Sequence, residues 1–363
     1  MITKDSYHII DTLIRQGRSF ALWRIPGNET IHFRMQSYGT PDLLGSYTEL
    51  NGRSGFVIAP FHISDKHPIV LIQPDCMDLP EDILETPQDN IEVFQQAYPE
   101  IVSYENEKAH YSACFHAFQQ PLLRGIQDKL VLSRAKTNPK SASFSPGKVF
   151  YQACERYIYS YVYLCYTPLT GIWMGGTPEI LLAGEGNQWQ TVALAGTQRL
   201  KNGKLPHAWD QKNWQEQQLV ATYIRRQLRT LGIVPKEKGP YSARAGELAH
   251  LKSDFRFTLP DNQKLGDLIN LLHPTPAVCG LPKEDAYQFI LQHEGYDRSY
   301  YSGFIGWISP SGHTDLYVNL RCMNIHANTY TLFAGGGLLA SSKLEEEWNE
   351  TEDKMNTMRN ILE

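Results

Sequence analysis

Two groups of short apolar runs, each joined by little more than a turn, constrain this chain more than any other feature. Residues 172–176, 180–183 and 188–194 follow one another, with Glu185-Gly-Asn as a turn. Residues 304–308, 316–325 and 330–334 repeat the arrangement, with turns at Ser309-Pro-Ser-Gly312 and near Ala327-Asn328. Connections this short join antiparallel neighbours, because parallel neighbours need a crossover of a dozen or more residues. Helical patterns at residues 5–16, 106–124, 147–157, 210–231, 264–272, 282–294 and 343–362 separate the strand-like runs. Strand groups interrupted by helices, with no strict βαβ alternation, predict an α+β fold with antiparallel sheets.

Further β-like runs at 20–25, 31–35, 56–61, 69–73, 129–134 and 159–166 extend the sheets. The acidic, Pro-containing stretch 80–90 reads as a surface connection and a soft boundary. It separates residues 1–105 from a longer part over 106–363. A net charge of -5 and the lack of any Lys/Arg-rich block argue against nucleic acid as a partner. No apolar run approaches the ~18 residues of a membrane span, and the amino terminus has no apolar signal region. The six scattered cysteines contain no Cys-x-x-Cys pair, which fits reduced thiols. A cytoplasmic protein is the expectation.

Several side chains could carry chemistry. Glu347 and Glu350 stand three apart on the terminal helix and so face the same way. Such a pair suits Mg²⁺, which takes oxygen ligands, or it is a solvated helix surface. The glycines of Phe333-Ala-Gly-Gly-Gly-Leu338 allow backbone N–H groups to converge on an anion, or they form a simple turn. Lys129 opens an apolar strand, where it is either exposed or a buried general base. Glu179, in Gly175-Gly-Thr-Pro-Glu-Ile-Leu-Leu182, also heads an apolar strand, where low polarity could keep a carboxylic acid protonated. In His273-Pro-Thr-Pro-Ala-Val-Cys-Gly280 two prolines stiffen a polar loop, for structure or for ligand binding.

These stretches resemble the chorismate-utilising family: isochorismate synthases, salicylate synthases, and the synthase components that make anthranilate and aminodeoxychorismate. The resemblance is carried by Lys129-Leu-Val-Leu-Ser-Arg134, Thr177-Pro-Glu-Ile-Leu-Leu182, Ala193-Leu-Ala-Gly-Thr197 and Lys212-x-x-x-Glu216-x-x-Leu-Val220. It continues through His273-Pro-Thr-Pro-Ala277, Asp297-Arg298-x-x-Tyr-Ser-Gly303-Phe-Ile-Gly306, Leu320-Arg-Cys322, Phe333-Ala-Gly-Gly-Gly337 and Glu347-Trp-x-Glu-Thr351. Nine segments in the family's order span residues 110–363; the first ~100 residues match poorly. The family fold implied has two α/β halves with large stacked antiparallel sheets and helices outside.

By this resemblance Glu216 and Glu347 hold Mg²⁺, with Glu350 in or next to its shell. Lys129 activates water for attack at C2 of chorismate, and Glu179 protonates the departing 4-hydroxyl. Arg321 and the amides of Gly335, Gly336 and Gly337 hold the side-chain carboxylate, while Thr197 and His273 line the ring site. Lysine at 129 points to water rather than ammonia as nucleophile, so no glutaminase subunit is expected. Alanine at 195 cannot form the covalent intermediate of the aminodeoxychorismate enzymes. An isochorismate synthase is the expected function. A salicylate synthase, or a chorismate-binding protein without turnover, is the alternative. Asn213 and Gln217 depart from the family's acid and His at those positions. The resemblance implies a monomer acting on a small-molecule substrate, and leaves menaquinone and siderophore pathways both open.

Overall fold

The computed structural model of the chain describes residues 6–80, 107–200 and 202–362. The expected connection over 80–90 lies almost wholly outside these residues. Seventeen strands form two antiparallel sheets among the described residues. In spatial order the first holds β13 (Gly280–Leu281), β6 (Lys129–Pro139), β17 (Thr329–Leu338), β16 (Cys322–Ile325), β8 (Gly171–Thr177), β7 (Tyr161–Thr167), β1 (Ser19–Arg24) and β2 (Ile31–Gln36). The second holds β11 (Lys236–Ala245), β12 (Leu248–Thr258), β10 (Gln188–Arg199), β9 (Ile180–Glu185), β15 (Thr314–Val318), β14 (Phe304–Ile308), β4 (Gly55–Ala59), β5 (Ile69–Ile72) and β3 (Asp42–Leu44). Strands from residues 19–72 thus join both sheets.

Strand periodicity explains the layering. Along β7, Tyr161, Tyr163 and Cys165 join a core fed by strands of both sheets, while Val162, Leu164 and Tyr166 face the other way. That outer face packs against α1 (Tyr7–Arg15), α3 (Pro146–Arg156) and α7 (Leu344–Arg359). On the second sheet Phe56 and Ile58 point inward, whereas Val57 and Ala59 meet the core under α4 (Gln211–Thr230) and α5 (Leu265–Leu272). A smaller core joins α2 (Glu107–Leu123), α6 (Lys283–His293) and β6. Strands buried on both faces read as continuous apolar runs, which is why their alternation is faint in the sequence. No helix among the described residues is long and apolar enough to cross a membrane, and all six cysteines are free.

The structure corrects the two expected meanders. Each is broken where the chain crosses from the first sheet to the second or back: between β8 and β9 at Pro178-Glu179, and between β15 and β16 at residues 319–321. The crossings are tied together. Val318 N donates to Glu179 O (2.9 Å), Gly176 N to Arg321 O (3.0 Å), and Thr177 Oγ1 to Val318 O (2.6 Å). A second correction concerns Gly335, Gly336 and Gly337. They form neither loop nor nest but continue β17, in register with Ser133, Leu132 and Val131 of β6. The β11–β12 hairpin has no counterpart among the sequence expectations.

Candidate functional site

The paired crossings place Glu179 and Arg321 at one cavity between the sheets, with Thr197, Glu216, His250, Gly335, Gly337 and Lys354 also on its wall. Its free volume is about 50 Å³, so a substrate-sized ring enters only if lining side chains such as Lys354 give way. Glu179 is buried, and burial pushes its carboxyl up to about 8 against the pull of Lys129, Lys354 and Arg321. Thr275 Oγ1, from the Pro-containing loop, faces Glu179 Oε1 at 3.4 Å. The carboxyl is therefore protonated at neutral pH, which is the state a general acid needs.

Lys129 opens β6 and is fully buried. Its Nζ lies 2.9 Å from Glu216 Oε1, without hydrogen-bond geometry to any partner. Glu216 projects from α4, whose first turn is capped by Asp210: its Oδ1 accepts from Asn213 N at 2.8 Å. Asn213 Oδ1 in turn accepts from Thr197 N (2.9 Å), and Gln217 Nε2 donates to Ala193 O (3.1 Å). The two departures from the family pattern thus tie α4 to β10, and Glu216 is left facing the cavity.

Arg321 adopts φ +48°, a conformation that is costly for a residue with a Cβ and characteristic of functional sites. Its guanidinium is held by His250 and Thr357: NH2 donates to His250 Nε2 (2.8 Å) and NH1 to Thr357 Oγ1 (3.3 Å). Burial, Arg321 and Lys354 push His250 down to about 3, so the ring is neutral. Its other nitrogen, 2.8 Å from Gly196 O, then carries the proton. Sequence reasoning missed His250. The available signal was the alternation of Leu251, Ser253, Phe255 and Phe257, which marks β12 as a strand.

The glycines of β17 contribute by lacking side chains rather than by unusual backbone angles; none of the three has a positive φ. A Cβ on Gly336 would stand 3.0 Å from Glu347 Oε2 and 3.4 Å from Glu350 Oε1. On Gly337 it would overlap Glu216 Oε1 and approach Lys129 Cε to 2.6 Å. Three carboxylates therefore crowd the end of this strand, and each meets a lysine: Glu216 with Lys129, Glu347 with Lys212, and Glu350 with Lys354 at 2.6 Å. Burial and the charge of Glu350 raise Glu347 above the ordinary carboxylate range. For Glu350, burial is outweighed by Lys354 and Lys212, which hold it below that range.

Among the described residues no three His, Cys, Asp or Glu side chains stand close enough to enclose a metal ion. The donor set nonetheless fits a hard divalent cation. Lys212 is raised by Glu347, Glu350 and Glu216 despite its burial, so its ammonium stands in for a cation acted on by all three. Glu347 Oε2 is buried without a hydrogen-bond partner. Mg²⁺ needs only one or two such carboxylates beside waters and substrate oxygens.

The structure corrects the expected place of His273. Its ring is buried between Tyr47 and Phe304, at centroid distances of 5.5 and 5.2 Å, with neither nitrogen hydrogen-bonded. Burial pushes it down to about 3. His273 fills the core under α5, and Thr275 is the residue of that loop that reaches Glu179.

The family described as "Chorismate binding enzyme" matches residues 50–363. "Isochorismate synthase EntC" of Escherichia coli (strain K12) is 30% identical over 282 residues, covering 74% of this chain and 69% of that protein. The solved structure described as "putative 2,3-dihydroxybenzoate-specific isochorismate synthase, DhbC from Bacillus anthracis" superposes with a TM-score of 0.76 at 21% identity, covering 96% of this chain and 98% of that one. MenF, the menaquinone-specific isochorismate synthase from Escherichia coli, gives 0.73 at 20% identity, with 98% and 91% covered. Both structures share the fold of stacked antiparallel sheets flanked by helices.

Proposed function

The chain belongs to the chorismate-binding enzyme family, and on that premise we propose that it is an isochorismate synthase, adding water at C2 of chorismate with loss of the 4-hydroxyl. The observation that carries the reading is a buried carboxyl, Glu179, sharing one cavity with the Arg321 guanidinium and with Glu216, whose Oε1 lies 2.9 Å from the buried Lys129 amine. Lys129 Nζ takes a proton from the attacking water as the new C2–O bond forms. Both ring double bonds shift, C1=C2 to C1=C6 and C5=C6 to C4=C5, the C4–O bond breaks, and Glu179 gives its proton to the departing hydroxide. No atoms are gained or lost, so the reaction is an isomerisation. Arg321, held by His250 and Thr357, grips the side-chain carboxylate by a charge-assisted bond. Glu216, Glu347 and Glu350 would hold Mg²⁺, which supplies a Lewis acid for the ring carboxylate. Orientation of water and leaving group in a site closed to bulk solvent provides most of the acceleration. The reading extends to the cytoplasm as compartment and to menaquinone or siderophore biosynthesis as the use of the product.

Purified protein given chorismate and Mg²⁺ is expected to form isochorismate, followed by chromatography, and EDTA is expected to stop the reaction. Stoichiometric pyruvate with salicylate fluorescence would instead make it a salicylate synthase. Stabilisation by chorismate with no product would make it a binding protein.

Gly337→Ala tests the crowding at the end of β17. The added methyl must displace the tips of Glu216 and Lys129 rather than backbone. The variant is expected to melt within a few degrees of wild type, yet to lose at least about tenfold in kcat, because small displacements of catalytic groups carry large rate costs.

A further inference from the structure

We propose that Arg134 is a positioning residue that sets the rotation of α7, and through it the spacing of the Glu347 and Glu350 carboxylates over β17. The inference rests on the reading of these carboxylates as a cation site. Arg134 lies five residues beyond Lys129 on β6 and touches neither the cavity nor the carboxylates. Its side chain is buried and turned onto α7. Nε donates to Thr351 Oγ1 at 2.7 Å, NH2 pairs with Glu352, and the guanidinium lies 3.9 Å from the centre of the Trp348 ring. Trp348 is braced on another side by Tyr111 of α2, edge-on at 5.4 Å. NH1 also reaches Glu107, at the start of α2, at 3.4 Å.

Trp348, Thr351 and Glu352 form one ridge of α7; Glu347, Glu350 and Lys354 form the adjacent ridge. Gripping one ridge fixes the roll of the other. The tolerance is small. At the ~5 Å side-chain radius of a helix, a roll of about 20° carries a carboxylate ~2 Å, as long as a Mg–O bond. A Cβ on Gly336 would stand only 3.0 Å and 3.4 Å from the nearest oxygens of Glu347 and Glu350, so the helix already lies close over the strand. A planar fork suits this role because one guanidinium can donate in two directions while stacking on an indole. Nothing in the expected chemistry gives Arg134 a substrate to touch.

The test measures cation binding without turnover, using Mn²⁺ as probe and electron paramagnetic resonance as readout. Arg134→Met is expected to raise the Mn²⁺ dissociation constant at least about tenfold. Thr351→Val, which removes a single acceptor, is expected to raise it about threefold. In assays the KM for Mg²⁺ should rise while the KM for chorismate at saturating Mg²⁺ stays within about twofold, a split that general destabilisation does not produce. Unchanged Mn²⁺ affinity in Arg134→Met, folded by circular dichroism, overturns the inference. Should that variant fail to fold, unchanged affinity in Thr351→Val overturns it. Wild-type protein that binds no Mn²⁺, or binds equally well as Glu350→Gln, overturns the cation-site reading and this inference with it. Wild-type binding lost in Glu350→Gln but kept in Arg134→Met removes the role of Arg134 alone.

Discussion

Replacing Glu179 by Gln is expected to lower kcat by roughly 10²–10⁴-fold, the usual contribution of a general acid, while chorismate still binds. Glutamine fills the same space at the crossing between β8 and β9 and can still face Thr275, but it has no proton to give. The same residue sets the alkaline limb of the rate profile. Burial holds its carboxyl at about 8, so kcat/KM of the free enzyme should fall above that pH. Stability moves with the same proton. The folded-state value lies above the ordinary 4.5, so the protonated form adds stability that is fully present below about 4.5. That stability is lost progressively as pH rises and is gone once pH passes about 8. Melting temperatures of wild type and Glu179→Gln, compared at pH 5 and pH 9, should therefore shift in favour of the variant at the higher pH. A constant difference between the two would mean that Glu179 is already ionised in the folded protein.

Lys129→Ala is expected to reduce turnover by a similar ~10²–10⁴-fold, with chorismate affinity changed only slightly because Arg321 and His250 remain. The substitution has a second effect. It removes the amine 2.9 Å from Glu216 and leaves a buried carboxylate without its partner, a change that typically costs 3–5 kcal/mol when a charged pair is fully buried. Glu216 retains some exposure, so about half that loss is a fair expectation, and added Mg²⁺ should restore part of it. Turnover and melting temperature with and without Mg²⁺ separate the two effects. Substantial residual turnover would remove Lys129 as the base.

The residues that sequence reasoning singles out and the structure brings together are those whose neighbours in the chain announce them. Lys129 and Glu179 each stand at the head of an apolar strand, and Glu347 and Glu350 share a helix face. What was illegible is non-local. Whether residues 171–185 form one meander or cross between sheets depends on pairing with β15 and β16, 130 or more residues away, and an apolar run buried on both faces carries no mark of which sheet it joins. His250 meets its partner Arg321 71 positions further on, and both line the cavity. Three successive glycines argue locally for a turn. They form a strand because β6 pairs with β17 along ten consecutive positions and because the carboxylates and Lys129 leave no room for side chains at two of them. His273 sits in a stiff polar loop, yet packing against Tyr47 and Phe304 turns its ring into the core. Thr275, two residues on, faces the acid instead.

The most direct test of the whole account is turnover of chorismate in H₂¹⁸O, with the product examined by mass spectrometry. Water delivered by Lys129 to C2 and hydroxide released from C4 with the proton of Glu179 require isochorismate carrying one ¹⁸O, on C2. Isochorismate with no label would mean that the original hydroxyl migrates within the ring, and the opposed acid and base would then have no role.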